Sequence, residues 1–143
     1  MLKLQQHALR TETTTQGPCM DGLTLAITLA QIAWDKKGED LVILDLRERH
    51  SLIDYFVIVT ARNARHGKVI GEDALARIKQ LAPGTPRHLE TADDWILGDF
   101  TDVVLHVFTE EARVFYDLEH LWADAPRVAW SPSEAGPESA ESA

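Results

Sequence analysis

The segment Asp94–Trp122, DWILGDFTDVVLHVFTEEARVFYDLEHLW, encodes two strands and a closing helix. Two apolar runs, Trp95–Leu97 and Val103–Phe108, flank a polar turn at Asp99–Asp102. β-Branched and aromatic residues bounded by Asp and Thr predict a hairpin. Folding the runs across that turn sets Gly98 opposite Val103, Leu97 opposite Val104, Ile96 opposite Leu105 and Trp95 opposite His106. Side chains alternate along a strand. One face then carries Ile96, Gly98, Val103, Leu105 and Val107, a core set. The other carries Trp95, Leu97, Asp99, Asp102, Val104, His106 and Phe108. Large aromatics mixed with carboxylates and an imidazole are expected of a half-exposed contact surface. The turn lacks Asn-Gly or Asp-Gly, and a one-residue slip would exchange the two faces.

After the hairpin, Thr109 caps a helix whose first turn carries Glu110 and Glu111, on the side where the helix dipole favours negative charge. Val114, Phe115, Leu118, Leu121 and Trp122 recur at helical spacing and predict one apolar stripe. Pro126 ends the helix.

Upstream, Asp21–Lys37 predicts a helix with Leu25, Leu29, Ile32 and Ala33 on one face and Gly38 as its stop. Leu41–Leu46 (LVILDL) and Tyr55–Thr60 (YFVIVT) fit strands covered on both sides, and their short connection suits a hairpin. Asn63 caps a helix over 64–81, with Ile70, Ala74, Ile78 and Leu81 as its buried stripe. Pro86–Glu90 is a short edge strand. The order α-β-β-α-β-β-β-α predicts an α/β fold with a mixed sheet of about five strands and flanking helices. The expected organisation is a flexible polar leader over 1–19, an α/β domain over 20–125 and a disordered acidic Pro/Ser/Glu tail over 126–143.

The 143 residues suit one domain, and no apolar run approaches the ~20 residues of a membrane span. The one cysteine, Cys19, rules out an internal disulfide and a multi-cysteine zinc site, and mildly favours a reducing cytoplasmic setting. Net charge is −9, unevenly spread: residues 47–87 carry +4 and residues 88–143 carry −11. An acidic contact face repels nucleic acid and attracts a basic protein surface.

No phosphate-binding loop, dinucleotide fingerprint, nucleophile elbow or zinc-protease helix occurs. His106 with Asp99 or Asp102 lacks the third or fourth convergent group that a metal site needs. Asp99 and Asp102 read as turn formers before they read as a Mg²⁺ pair. Thr60–Lys68 (TARNARHGK) places Arg62, Arg65, His66 and Lys68 at a helix start, where a phosphate can bind, yet no glycine-rich turn lets backbone amides close on the anion. Trp95 stands evenly between core and interface on these grounds alone.

GEDLVILDLR (38–47), DYFVIVT (54–60), ARH (64–66), DWILGDFTDVVLHVF (94–108) and the spaced R-x-F-Y-x-L-E-x-L-W (113–122) together resemble the ribosomal silencing factor (Iojap-related) family. The resemblance runs from Gly38 to Ala125 and continues more weakly over the preceding helix. It implies a nucleotidyltransferase-like fold without the catalytic motif, no enzymatic activity and no cofactor. It further implies a translational repressor in the cytoplasm that docks on the large ribosomal subunit through its fourteenth protein. Docking there blocks joining of the small subunit and lowers translation when nutrients are scarce. Carried over by position, the contact tryptophan is Trp95, with Asp99 and His106 beside it, and Leu97 and Phe108 add apolar contact area. The same face can pair two copies into a homodimer off the ribosome. The family usually has glycine where Ala61, Thr91 and Thr101 stand, and Ser-Arg-His where Ala64-Arg65-His66 stands. The competing reading is a divergent Mg-dependent nucleotidyltransferase using Asp99 and Asp102, with phosphate near Arg62 and Arg65.

Overall fold

The computed structural model describes residues 18–132. Residues 1–17 of the expected leader and residues 133–143 of the expected tail therefore lie outside the described residues. The elements are α1 (Gly22–Asp35), β1 (Glu39–Asp45), β2 (Tyr55–Ala61), α2 (Ala64–Leu81), β3 (His88–Thr91), β4 (Trp95–Asp99), β5 (Val103–Thr109), α3 (Glu110–Tyr116) and α4 (Leu118–Leu121). They form one mixed sheet in the order β1-β2-β5-β4-β3. The β1–β2 hairpin is antiparallel, β2 runs parallel to β5, and β5–β4–β3 is antiparallel throughout. The element order expected from the sequence is observed, with the last helix in two pieces.

Every residue of β2 is buried, as an uninterrupted apolar run at the centre of a sheet requires. The helices α1 and α2 cover one sheet face. Leu25, Leu29, Ile32, Ile70, Ala74 and Ile78 pack there on Val57, Val59, Ile96, Val103, Leu105 and Val107. The Asn63 cap is formed: its side chain accepts from the His66 N–H at 2.8 Å. α1 ends in a Schellman turn, with the Gly38 N–H on the Ala33 carbonyl at 2.8 Å and the Lys37 N–H on the Trp34 carbonyl at 2.9 Å. Lys37, not Gly38, takes the left-handed conformation (φ 74°). Gly38 is needed for space, since a Cβ there would sit 2.5 Å from Val59 Cγ2 and 2.9 Å from the Ala33 carbonyl oxygen.

Four expectations are corrected. The β4–β5 register is shifted by two residues: Gly98 pairs with Leu105, Leu97 with His106, Ile96 with Val107 and Trp95 with Phe108. The hairpin is longer because Phe100 belongs to the ladder and not to the turn: its N–H donates to the Val103 carbonyl at 2.9 Å, leaving Thr101-Asp102 as a two-residue loop. Phe100 is fully buried, its ring lying over Gly98, where an added Cβ would approach Cε2 to 3.1 Å. A shift of two keeps every side chain on its expected face. Second, the apolar stripe of the last helix is broken. Asp117 adopts a left-handed conformation (φ 48°), α3 stops, and α4 turns away. Val114, Phe115 and Leu121 are 75%, 79% and 69% exposed, and Leu118 and Trp122 alone of that set pack on the sheet. Third, Leu81 is exposed at the end of α2. Fourth, the chain stays on the domain beyond Ala125. Arg127 bridges to Leu44, the Asp45 N–H reaches the Pro126 carbonyl at 2.8 Å, and the Val128 N–H reaches the Ile43 carbonyl at 2.9 Å. This strand-like segment covers the outer edge of β1, and Trp130 meets Trp34 edge-on. At the other end, the Gly84 N–H donates to the Pro18 carbonyl at 2.9 Å, so residues 18–20 are also tied down.

Candidate docking face

The second sheet face is covered over β1, β2 and β5 and half-open over β4 and β3. Leu44, Phe56, Ile58, Val104 and Phe108 form its floor, with Ala112 and Ala125 buried against them. Trp95, Leu97, Leu118 and Trp122 border that cluster and are only partly buried. One ion pair fixes the cover. Arg113 grips Glu119 through Nε–Oε1 at 3.0 Å and Nη2–Oε2 at 3.1 Å, and its Nη1 donates to Thr60 Oγ1 at 2.8 Å. These bonds span the Asp117 kink and pin α3 to β2. The Arg113 guanidinium holds the Glu119 carboxyl below the usual carboxylate range.

At the boundary between covered and open halves, His106 lies 96% buried among aromatic rings (4% relative exposure). Phe56 meets it edge-on with centroids 4.4 Å apart, and Phe108 is stacked beside it at 5.9 Å. The Trp95 indole N–H donates to His106 Nδ1 at 3.1 Å. That bond assigns the proton to Nε2. Nε2 is buried and has no partner among the described residues. Burial pushes the His106 pKa down to about 4, so the ring is neutral at neutral pH. Trp95 is thus held from three sides: by His106, by Phe108 at 5.0 Å and by Tyr116 at 4.5 Å between centroids.

Of the residues the sequence grouped on this face, Trp95 and Leu97 are half-buried and face outward. Asp99 and Asp102 are exposed at the hairpin end. Val104, His106 and Phe108 share the face but are buried, so Phe108 supports the surface from beneath and offers no contact area of its own. Asp99 Oδ1 accepts from the Thr101 N–H at 2.9 Å, the turn-forming role expected of it. His106 Nδ1 is taken by Trp95, which removes it from any ligand set with Asp99 or Asp102. Among the described residues no three His, Cys, Asp or Glu side chains converge as a metal-ligand group. The basic segment 62–68 is also committed to structure around its histidine. His66 Nδ1 accepts from the Arg62 N–H at 2.9 Å, and Nε2 donates to the Lys36 carbonyl at 2.7 Å, tying the end of α1 to the start of α2.

Sequence reasoning missed Tyr116 and Glu90. Tyr116 lies off the predicted helix stripe by spacing; as the last residue of α3 it comes to rest against Trp95. Glu90 pairs with Leu97 across β3–β4, and with Thr91, Ala92, Trp95 and Leu97 it lines a hollow of about 340 Å³. Exposed Glu90, Asp93, Asp94, Asp99 and Asp102 surround this open half.

A sheet packed by two long helices on one face, and left half-open around a clamped tryptophan on the other, defines a small α/β domain with one aromatic, acid-rimmed surface. Residues 20–143 match the family model RsfS, described as ribosomal silencing factor during starvation, and the chain belongs to that family. It is 35% identical over 97 residues to the ribosomal silencing factor RsfS of Bacillus subtilis, covering 64% of this chain and 79% of that one. It is 34% identical over 96 residues to RsfS of Halalkalibacterium halodurans, covering 66% and 81%. The chloroplastic Iojap protein of Arabidopsis thaliana is 30% identical over 112 residues, or 76% of this chain and 45% of that one. A crystal structure from Chromobacterium violaceum superposes with a TM-score of 0.68 at 25% identity, covering 83% of this chain and 99% of the other. One from Bacillus halodurans gives 0.59 at 32% identity, covering 75% and 95%. Family membership makes this chain a ribosomal silencing factor.

Proposed function

We propose that the chain represses translation in the cytoplasm by docking on the large ribosomal subunit through its fourteenth protein, and so keeps the small subunit from joining. No bond is made or broken and no cofactor takes part. Trp95 is the anchor, Leu97 the adjacent apolar contact, and Asp99 and Asp102 the acidic rim that a basic ribosomal protein complements. Val104, His106 and Phe108 set the height and orientation of the anchor from below. The observation that carries this reading is the clamped, outward-facing Trp95, held on three sides by His106, Phe108 and Tyr116 within an acidic border. A tryptophan in such a setting is the residue type that most often dominates an interface.

The body of the domain supplies the block. Once the β3–β4 half of the sheet is seated, α1 and α2 on the opposite face project away from the large subunit, into space the small subunit would occupy. Subunit reassociation tests the reading. Adding the protein to purified subunits lowers the yield of whole ribosomes on a sucrose gradient, and an unchanged yield at saturating protein sinks the proposal.

A further inference from the structure

β3 ends the sheet, and no strand pairs with its outer side among the described residues. The hydrogen-bond parity shows which of its backbone groups are open. The Ala92 N–H donates to the Trp95 carbonyl at 3.1 Å, and the register pairs Thr91 with Ile96, Glu90 with Leu97 and Leu89 with Gly98. In an antiparallel ladder, hydrogen-bonded pairs alternate with non-bonded ones. Ala92, Glu90 and His88 therefore bond inward to β4, whereas Leu89 and Thr91 direct their N–H and carbonyl groups outward. The side chain of Leu89 is anchored in the core, lying against the face of Gly71. The edge is thus held against α2 through Leu89, with its open groups directed away from β4. It is also continuous with the hollow lined by Glu90, Thr91, Ala92, Trp95 and Leu97.

We infer that this edge takes a basic, extended segment of the docking partner as an added strand, with Leu89 and Thr91 supplying the backbone pairing and the hollow beside Trp95 receiving one apolar side chain. The inference rests on the docking reading above and specifies how the partner is gripped. Strand addition draws affinity from main-chain bonds and specificity from pockets for alternate side chains. Charge selects the sign of the partner. Exposed Glu90, Asp93, Asp94 and Asp99 flank the edge on the Trp95 side and at the β3–β4 turn, and Arg65 and Lys68 lie on the α2 side of the sheet. An acidic or neutral strand gains nothing from that rim; Lys or Arg alternating with apolar residues is complemented by it.

The test uses isolated large subunits and four proteins: wild type, Thr91→Pro, Thr91→Ala and Trp95→Ala. Proline at position 91 deletes one outward N–H and no bond to β4, a substitution that edge strands tolerate. Thr91→Ala keeps the N–H and removes the side chain. The expected result in co-sedimentation is wild-type binding for Thr91→Ala, about tenfold weaker binding for Thr91→Pro, and loss for Trp95→Ala. Amide exchange at Leu89 and Thr91, fast in the free protein, slows on the subunit. Wild-type affinity of Thr91→Pro together with loss for Trp95→Ala overturns edge pairing and leaves the docking face standing. Failure of the wild type to co-sediment removes the docking reading and this inference with it. Should Thr91→Pro melt early, exchange in the wild-type complex decides alone, and unprotected Leu89 and Thr91 amides refute the inference. Protection that appears with rising protein concentration and no subunit assigns the edge to a second copy of this chain, which also refutes it.

Discussion

His106 links acid sensitivity to the proposed docking face. In the folded protein its pKa is pushed from 6.5 to about 4 by burial. Between those values the unfolded chain holds a proton that the folded chain refuses. Stability is therefore complete above about pH 6.5 and falls as pH drops toward 4. The full effect is about 3 kcal/mol, of which about 1.4 kcal/mol is lost by pH 5.5. The carboxyls of Asp45 and Glu119, lowered by Arg47 and Arg113, act in the same direction, but over a more acidic window. Their stabilisation is present above the ordinary carboxylate range and is lost as pH falls through their depressed values. Replacing His106 by Phe keeps a ring against Phe56 and Phe108 and removes the titrating group. It also removes the unpartnered Nε2–H together with the acceptor of the Trp95 N–H. Urea unfolding of both proteins at about pH 7.5 and pH 5.5 isolates the term. The wild type should lose about 1.4 kcal/mol more than His106→Phe between those conditions. Parallel losses refute the buried, neutral histidine, as does an imidazole NMR titration with its midpoint above 6.

Four further outcomes follow from particular residues. Trp95→Ala removes the anchor and should weaken large-subunit binding by about thirty-fold or more, measured by co-sedimentation of a variant whose circular dichroism is unchanged. Phe115→Ala trims an exposed ring that continues the aromatic series through Tyr116 to Trp95, with centroids 5.0 Å and 4.5 Å apart. It should leave the melting temperature within experimental error and weaken the same binding by about threefold. Gly38→Ala drives a methyl into Val59 and the Ala33 carbonyl, so thermal unfolding should show a loss of about 2 kcal/mol. Thr101→Gly relieves a β-branched residue held at φ 76° in the β4–β5 turn, and should raise stability by about 1 kcal/mol in the same assay.

Why some of this was readable and some was not follows from the range of the interactions involved. The faces of β4 and β5 were legible because strand alternation has period two and survives a register error of two. The register itself was not, because Phe100 looks like part of a polar turn until Gly98 is seen to make room for its ring. The Asn63 cap was legible as a local signal. The break at Asp117 was not: Val114, Phe115, Leu118, Leu121 and Trp122 fit one helical stripe, and the Arg113–Thr60 bond that pins α3 to β2 joins residues far apart in sequence. The β1 edge cover is likewise non-local, since nothing in Pro126-Arg127-Val128 announces pairing with Ile43 and Asp45. For the site, Trp95, Leu97 and Asp99 could be placed by pattern alone, whereas the burial of His106 and Phe108 depends on where α3 and α4 come to rest.

That resting place also orders the half-buried Trp95 before the proposed partner is met. A free indole would lose rotamer freedom on binding, an ordering cost of about 1 kcal/mol for an immobilised side chain. Here that cost has been met during folding. His106 accepts a hydrogen bond from the indole N–H, Phe108 and Tyr116 flank the ring, and the Arg113–Thr60 bond holds α3, whose last residue is Tyr116, on the sheet. The arrangement works only with a neutral His106, because a protonated Nδ1 has no lone pair for the indole to meet. The burial that makes His106 a liability in acid is therefore the same burial that fixes its tautomer and aims Trp95. A variant that gains acid stability by replacing the histidine should keep its fold and its Leu97 contact, yet present a tryptophan with one restraint fewer. Its binding to the large subunit should weaken through that lost restraint, even though His106 itself is buried beneath the indole.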